Sequence, residues 1–488
     1  PGPLGSGERL PPTREASMTL SRLSPEDRVL LRGDRDPRSR STVGGLAVLD
    51  STPDWTLVRT RIDRASRSVP ALRSRPVEPS FATTEPRWVI DPDFVLDRHV
   101  RHIALAAPGD RAALLELAER FFAEPFDPAA PLWRVLCVDG VGHGGAILTA
   151  ASPLLRIEEV PVDLLDIALD SRHDSADLAP IPVPTDLEPA DLAREGVREL
   201  PWRAAGLAVS GVHEVGSLAI HAVTDWRGAV DRAAGLVTPP VAVQGSALLA
   251  GRGTERAIIL RSYPRSRADG APTHRGGQRA HIAAIREALI AYHAESGLPL
   301  TSLGITAASH PAVLRRALAP SQDRVESLGR LLPLLPTGFV DVVARPTRGA
   351  DVAVSHVVAA AGSVGKARVV ERYAVGPVPG NALTSVAVTT PERLDVAVRY
   401  DPEAIRDVAL LERCLDAAFE QVLAPAPSAP RAPRKATAKT APAAQRTPSA
   451  RKSTASKTPS SKTPASKKTT VSKKATAKKA PARKGAGA

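Results

Sequence analysis

At 488 residues the chain exceeds one ordinary domain and is long enough for two packed lobes with further segments. Hydrophobic residues make up 43% of it and aromatics only 3%, so its cores draw on Ala, Val and Leu; no window approaches 18 uncharged apolar residues, which excludes a membrane-spanning helix. The formal charge of +13 sits at one end: residues 431–488 hold 17 of the 65 Lys and Arg and no acid, leaving 48 basic against 52 acidic groups, a net of −4, before them.

Met18, the sole methionine, opens Met18-Thr-Leu-Ser-Arg-Leu-Ser-Pro25 and reads as a protein start. Residues 1–17, with Gly2-Pro-Leu-Gly-Ser6, read as a leader or tag and are set aside. No apolar segment follows a basic start, so a secretory signal peptide is not expected. Regular structure is expected from Ser24. Residues 43–49 read as a short buried strand, and 88–90 and 102–106 as two more. Asp110 is a good N-cap for a helix whose Leu114, Leu117, Ala118, Phe121 and Phe122 share one face, stopped by Pro125. The apolar runs 133–139 and 146–151, joined by Gly140-Val-Gly-His-Gly-Gly145, predict a β-hairpin.

Residues 175–200, rich in Pro and Asp, read as a crossover, and 203–236 as helical. A second lobe is expected from Gly270, with a helix over 279–296 and strands at 351–358 and 367–372. The alternating runs 383–389 and 394–400 predict a hairpin, and Asp401-Pro402-Glu403 the start of a last helix, with Pro at its first position and acids in its first turn. The chain thus reads as α/β, divided into residues 1–17, a first lobe 18–180, a connector 181–269, a second lobe 270–424 and a tail 425–488. After Ala424 only Pro, Ala, Ser, Thr, Lys, Arg, Gly, one Gln and one Val remain, too little apolar surface to offset chain entropy, so the tail is expected to be disordered.

In order and spacing, these segments resemble the bacterial wax ester synthase/acyl-CoA:diacylglycerol acyltransferase family of actinobacterial type. The matching residues are Leu23-Ser24-Pro25-Glu26-Asp27, Val43-Gly44-Gly45-Leu46, Phe94-Val-Leu-Asp-Arg-His-Val-Arg-His-Ile103, Ala107-Pro-Gly-Asp110, Pro131-Leu132-Trp133 and Tyr373-Ala-Val-Gly376-Pro377. The resemblance covers about residues 18–424. It implies two chloramphenicol-acetyltransferase-like lobes with mixed sheets, the fold of CoA-dependent acyltransferases. A tunnel between them would admit acyl-CoA from one side and a lipid alcohol from the other, for triacylglycerol or wax ester synthesis, with no bound cofactor. It also implies a His-His-x-x-x-Asp-Gly motif after the strand that follows Pro-Leu-Trp, the second His taking the acceptor's proton. Here that place reads Ala151-Ser152-Pro153-Leu154-Leu155-Arg156-Ile157: Ala151 and Ser152 stand for the two histidines, Arg156 and Ile157 for Asp and Gly. Neither Ala nor an unassisted Ser is a base at neutral pH, so no catalytic residue is expected there and acyl transfer is expected to be impaired. Two further family elements have drifted to Gln278-Arg279 and Ser355-His356, expected to line the tunnel.

Other candidates are bland. His221 and Asp225, at i and i+4 in the connector, read as a surface pair. His143 sits in a turn roughly 20 Å from the far end of its strand, at about 3.3 Å per residue. The Gly-x-Gly-x-x-Gly of 140–145 joins two strands and fails the test for a dinucleotide loop. Ser152 has no elbow or nearby His to make it a nucleophile. Cys137 and Cys414 read as buried thiols, and no Cys/His spacing suits a metal. The tail resembles those of linker histones and actinobacterial HU-type nucleoid proteins. Its lysines are 435, 439, 452, 457, 462, 467, 468, 473, 474, 478, 479 and 484, that is Lys435, Lys439, Lys452, Lys457, Lys462, Lys467, Lys468, Lys473, Lys474, Lys478, Lys479 and Lys484. Without interleaved aromatics they suit phosphate contact and no base readout, and fit DNA or an anionic membrane alike. The expectation is either an impaired acyltransferase or a non-catalytic lipid-binding scaffold so tethered, in the cytoplasm at the inner membrane, lipid droplets or nucleoid.

Overall fold

Ser24 accepts the Asp27 amide and, with Pro25 in the first turn, starts α1 (Pro25–Gly33). In this computed structural model, residues 22–35, 37, 40–80, 84–157, 160–161, 163–170, 178–184, 186–209, 254–265, 274–297, 303–311, 351–378 and 381–423 are described. The expected leader, the His221–Asp225 pair, the 203–236 helix beyond Val209 and the whole tail lie outside those residues. β1 (Val43–Leu49) follows as expected, then α2 (Trp55–Ser68), capped by Asp54. A 3-10 turn over Pro70–Arg73 leads to the antiparallel pair β2 (Ser74–Val77) and β3 (Arg87–Ile90). α3 (Leu96–His99) runs into β4 (Val100–Ala104). α4 (Arg111–Ala123) is capped by Asp110, which accepts the Ala113 amide, and stops before Pro125. β5 (Trp133–Val141) and β6 (Gly144–Ala151) form the predicted hairpin; Gly140 and Gly142 take φ of 76° and 59° at its turn, where a left-handed backbone is needed.

Short strands β7 (Arg156–Ile157) and β8 (Val160–Pro161) precede α5 (Leu164–Ala168). α6 (Pro189–Val209) begins inside the stretch read as an irregular crossover, because Leu192 on its first turns is fully buried against Val77 and Val89. Then come β9 (Ala257–Pro264), α7 (His274–Ser296), β10 (Ile305–Ala308), β11 (Val352–Val358), β12 (Ser363–Val364), β13 (Ala367–Val375), β14 (Leu383–Thr389), β15 (Arg393–Tyr400) and α8 (Val408–Leu423). The last helix starts later than Asp401-Pro402-Glu403 suggested. Asp401 instead closes a turn: its carboxylate accepts the Glu403 amide at 2.9 Å, and its carbonyl those of Ala404 and Ile405. That turn delivers Ile405, wholly buried, to the core before Asp407 caps the helix at the Leu410 amide. No helix among the described residues is long and apolar enough to cross a membrane.

Two mixed sheets organise these elements, so the chain is α/β as expected. One runs β12-β13-β1-β6-β5-β4, the other β10-β11-β14-β15-β9. β13, from the second half of the chain, lies antiparallel to β1, with Gly44 opposite Val375 and Leu46 opposite Tyr373. Sheet membership therefore crosses the sequence boundary drawn near residue 270. One face of the first sheet packs on α1, α2 and α5 through Leu30, Val58, Ile62 and Leu165. Its other face meets α4 and strands of the second sheet through Leu148, Phe122, Ile258 and Ala397. The second sheet buries its far side under α7 and α8, with Leu289, Leu411 and Phe419.

The family-like motifs hold this frame together. Trp133, 1% exposed, donates its indole N–H to the Leu72 carbonyl at 2.7 Å. Its own carbonyl accepts from Nδ1 of His99, whose ring stacks between Trp133 and Phe94 at 4.7 and 5.2 Å. Burial holds His99 below the ordinary histidine range, so it is neutral at neutral pH. Cys137 and Cys414 are free, buried thiols, and burial pushes Cys137 up to about 12.

Gly44 sits where β1 crosses tightly between its neighbours: a Cβ there would lie 1.9 Å from the Thr149 carbonyl oxygen and 2.9 Å from the Phe122 ring. Since a backbone oxygen cannot yield, Gly44→Ala is expected to lower unfolding free energy by about 3 kcal/mol. Urea denaturation measures it, and an unchanged midpoint would show that β1 tolerates a side chain there.

Candidate active site

β6 ends at Ala151, paired with Val43 of β1 and Trp133 of β5. Thr149 and Ala151 lie on one face of the strand, two residues apart, and both line a small solvent-open recess at the seam of the two sheets. Val43, Gly44 and Ala374 line it from β1 and β13, Asp163 and Leu164 from the start of α5. Val357 of β11 and His310-Pro311, just past the end of β10, complete the wall. The Thr149 hydroxyl accepts the Gly45 amide at 3.1 Å, so it braces the β1–β6 pair.

Acidic and basic groups meet at one side of the recess. Asp163 caps α5, accepting the Leu165 and Asp166 amides at 2.9 and 3.3 Å. Arg372 of β13, its side chain 6% exposed, approaches Asp163 at 3.8 Å and ion-pairs with Asp166. Burial, reinforced by the negative charge of Asp166, raises Asp163 above the usual carboxylate range, with Arg372 and His310 opposing. Burial lowers His310, and Asp163 and Asp166 partly offset it. Imidazole, carboxylate and an apolar floor thus share one opening, the equipment for moving a proton beside a partly dehydrated substrate.

Past Ala151 the chain does something else. Ser152 is 1% exposed; its hydroxyl accepts the Leu154 amide at 3.3 Å and its carbonyl the Leu155 amide, closing a buried turn through Pro153. Arg156 forms a 2.7 Å ion pair with Asp27 of α1, the two side chains 16% and 7% exposed. Ile157 enters the short β7–β8 pair. These positions serve the fold.

A protein of Mycobacterium tuberculosis (strain H37Rv) that carries a provisional diacylglycerol O-acyltransferase name is 30% identical over 460 residues, spanning 84% of this chain and 93% of its own. This chain belongs to the wax ester synthase/diacylglycerol acyltransferase family. The family model for the wax ester synthase/diacylglycerol acyltransferase catalytic domain matches residues 23–265, which include β6 and the stretch after it. A second M. tuberculosis protein with a diacylglycerol O-acyltransferase name is 29% identical over 212 residues, 42% of this chain and 43% of its own. The solved wax ester synthase/diacylglycerol acyltransferase of Marinobacter aquaeolei VT8 aligns over 83% of this chain and 100% of its own, at 18% identity and a TM-score of 0.48.

Within this acyltransferase-family chain, the other residues singled out from sequence lie away from the recess. His356 is wholly buried, its Nε2 2.8 Å from the Thr389 hydroxyl and its ring against Gly277. Ser355 is equally buried in β11. The Gln278 side-chain amide donates to the Ala308 carbonyl at 3.3 Å, and Arg279 is exposed on α7. His143 is exposed in the β5–β6 turn. His310 and Asp163 escaped sequence reasoning, although a histidine placed directly after a short parallel strand is a signal: ligand sites favour the carboxyl ends of such strands.

The ion pair makes a direct forecast. Arg156→Asp, a step back toward the family motif, sets two carboxylates face to face and is expected to destabilise the fold by about 3 kcal/mol. Adding Asp27→Arg to it should recover part of that loss in the same unfolding assay; no recovery would mean that Arg156 acts through packing alone.

Proposed function

We propose that this chain transfers an acyl group from acyl-CoA to a lipid alcohol in the recess at the seam of the two sheets, more slowly than an enzyme with the intact family motif. Support comes from family membership and from Ala151, which lines the recess where the resemblance sets the motif histidines. Oriented substrates react faster even without an ideal base, so a weakened site still turns over. In this reading the first sheet supplies the floor, and Asp163 and His310 the polar rim.

Radiolabelled palmitoyl-CoA offered with dioleoylglycerol or with a long-chain alcohol tests this on the purified full chain. The expected result is saturable palmitoyl-CoA binding with slow formation of triacylglycerol or wax ester. Ala151→His/Ser152→His, with Arg156 retained, should run at least about tenfold faster if a positioned base is what is short. Absence of both palmitoyl-CoA binding and ester would sink the reading; binding without ester would favour a lipid-binding scaffold.

The tail extends the proposal to location. Its 17 cations without an acid suit a polyanion, either DNA or an anionic membrane, and would hold the chain at the nucleoid, at the inner membrane or on lipid droplets within the cytoplasm. If every cation met a phosphate, the log–log salt slope of DNA binding would approach about −15. The full chain should bind duplex DNA or phosphatidylglycerol vesicles with steep salt dependence, and a chain ending at Ala424 should not. Equal binding by the two would remove the tail from the account.

A further inference from the structure

We infer that His310, carried on the loop after β10, supplies the general base that the end of β6 lacks, with Asp163 as its positioning residue. The inference rests on the acyl-transfer reading and assigns the turnover that remains to one imidazole.

Location is the first ground. His310 and Ala151 line the same recess, although they lie 159 positions apart in the sequence and on different sheets. A general base must reach the proton it removes, whatever stretch of chain bears it. β10 is parallel to β11, with Ala308 opposite Ser355, so the residues that follow Ala308 emerge at a strand's carboxyl end, facing the seam. Pro311, also in the wall, restricts the backbone of the residue before it and so stiffens the His310 loop.

The second ground is the company the imidazole keeps. Among the described residues the charged groups that act on it are Asp163, at the start of α5, and Asp166 on that helix, and Arg372 of β13 pairs with both of these in turn. Asp163 is itself fixed by two backbone amides of α5, so its carboxylate cannot wander. Burial keeps the imidazole neutral at neutral pH, able to accept a proton, while the two carboxylates favour the imidazolium once it forms. Arg372 limits that help by ion-pairing with both. Such a base works, but with less support than a dedicated pair.

The chemistry balances without another reactant. The imidazole takes the alcohol's proton as its oxygen adds to the thioester carbonyl. The tetrahedral adduct then collapses, the C–S bond breaks, and the imidazolium returns the proton to the leaving sulfur. Ester and free CoA result, and His310 ends neutral.

The full chain, His310→Ala, His310→Gln and Asp163→Asn are compared with palmitoyl-CoA and dioleoylglycerol, with palmitoyl-CoA binding measured separately by equilibrium dialysis. Both His310 variants are expected to bind palmitoyl-CoA as the wild type does and to lose about 10²–10⁴-fold in kcat. Free imidazole should restore part of the rate to His310→Ala, which a purely structural role would not allow. Wild-type activity should fall on the acid side with an inflection below the ordinary histidine value of about 6.5. That limb should vanish in His310→Ala and move to lower pH in Asp163→Asn, since removing the carboxylate makes the imidazolium harder to form. Ester formation indifferent to His310 overturns this inference alone; palmitoyl-CoA binding with no wild-type ester at all overturns the acyl-transfer reading as well, in favour of a lipid-binding scaffold. Failure of the wild type to bind palmitoyl-CoA overturns the acyl-transfer reading and the inference with it.

Discussion

The pairing of β1 with β13 is the constraint on which the site depends. β1 comes from the first fifty residues and β13 from beyond residue 360, yet they share a register from Gly44–Val375 to Val48–Glu371 before a bulge near Leu49. Closing so long a loop is entropically unfavourable, though the cost grows only slowly with length. It is offset by burial on both faces of the sheet: α2 and α5 cover one, α4 and the second sheet the other. Once β13 is docked, Arg372 and Ala374 are delivered to the end of β1, and the second sheet is drawn against the first. The recess is a product of that docking, not of either half alone.

The stretch that follows β6 makes sense in the same terms. A catalytic histidine after β6 would need an open, polar strand end. Here Ser152 uses its hydroxyl and carbonyl to close a turn among buried neighbours, and Arg156 reaches back to Asp27 on the first helix. A guanidinium beside a nearly buried carboxylate forms a directional, charge-assisted bond that neither partner can lose cheaply. In this chain the segment fastens α1 to the sheet. Ser152 is buried and does not line the recess.

Much of this fold was readable from the residues because its signals are local. The buried apolar run at 43–49, the alternating runs at 383–389 and 394–400 and the Asp110 cap became the strands and the helix they predict. Errors arose where tertiary contacts outvoted local ones. Asp401-Pro402-Glu403 carries every sign of a helix start, but burying Ile405 requires a turn first. The Pro-rich crossover yields to α6 because Leu192 finds a pocket beside Val77 and Val89. The site was half legible. Ala151 was placed by matching outward from its own strand, and it lines the recess. His310 carried no motif, and its relation to Ala151 exists only through strand order, which sequence periodicity does not encode.

The histidines of this chain show why position decides chemistry. His99, His281 and His356 are nearly sealed: His99 is stacked between aromatic rings, His281 lies 2.8 Å from the Ser385 hydroxyl, and His356 lies at the same distance from Thr389. Burial drives His281 down to about 3, with the neighbouring His356 adding to it, so this ring never gains a proton at working pH. An imidazole held that way is a polar packing element. His310 is lowered by burial too, but it is only partly buried, borders open space and faces two carboxylates that reward protonation. Neutral at rest yet able to charge is the condition that acid–base work sets, and it requires a group at the edge of the core, where desolvation and a fixed counter-charge oppose each other.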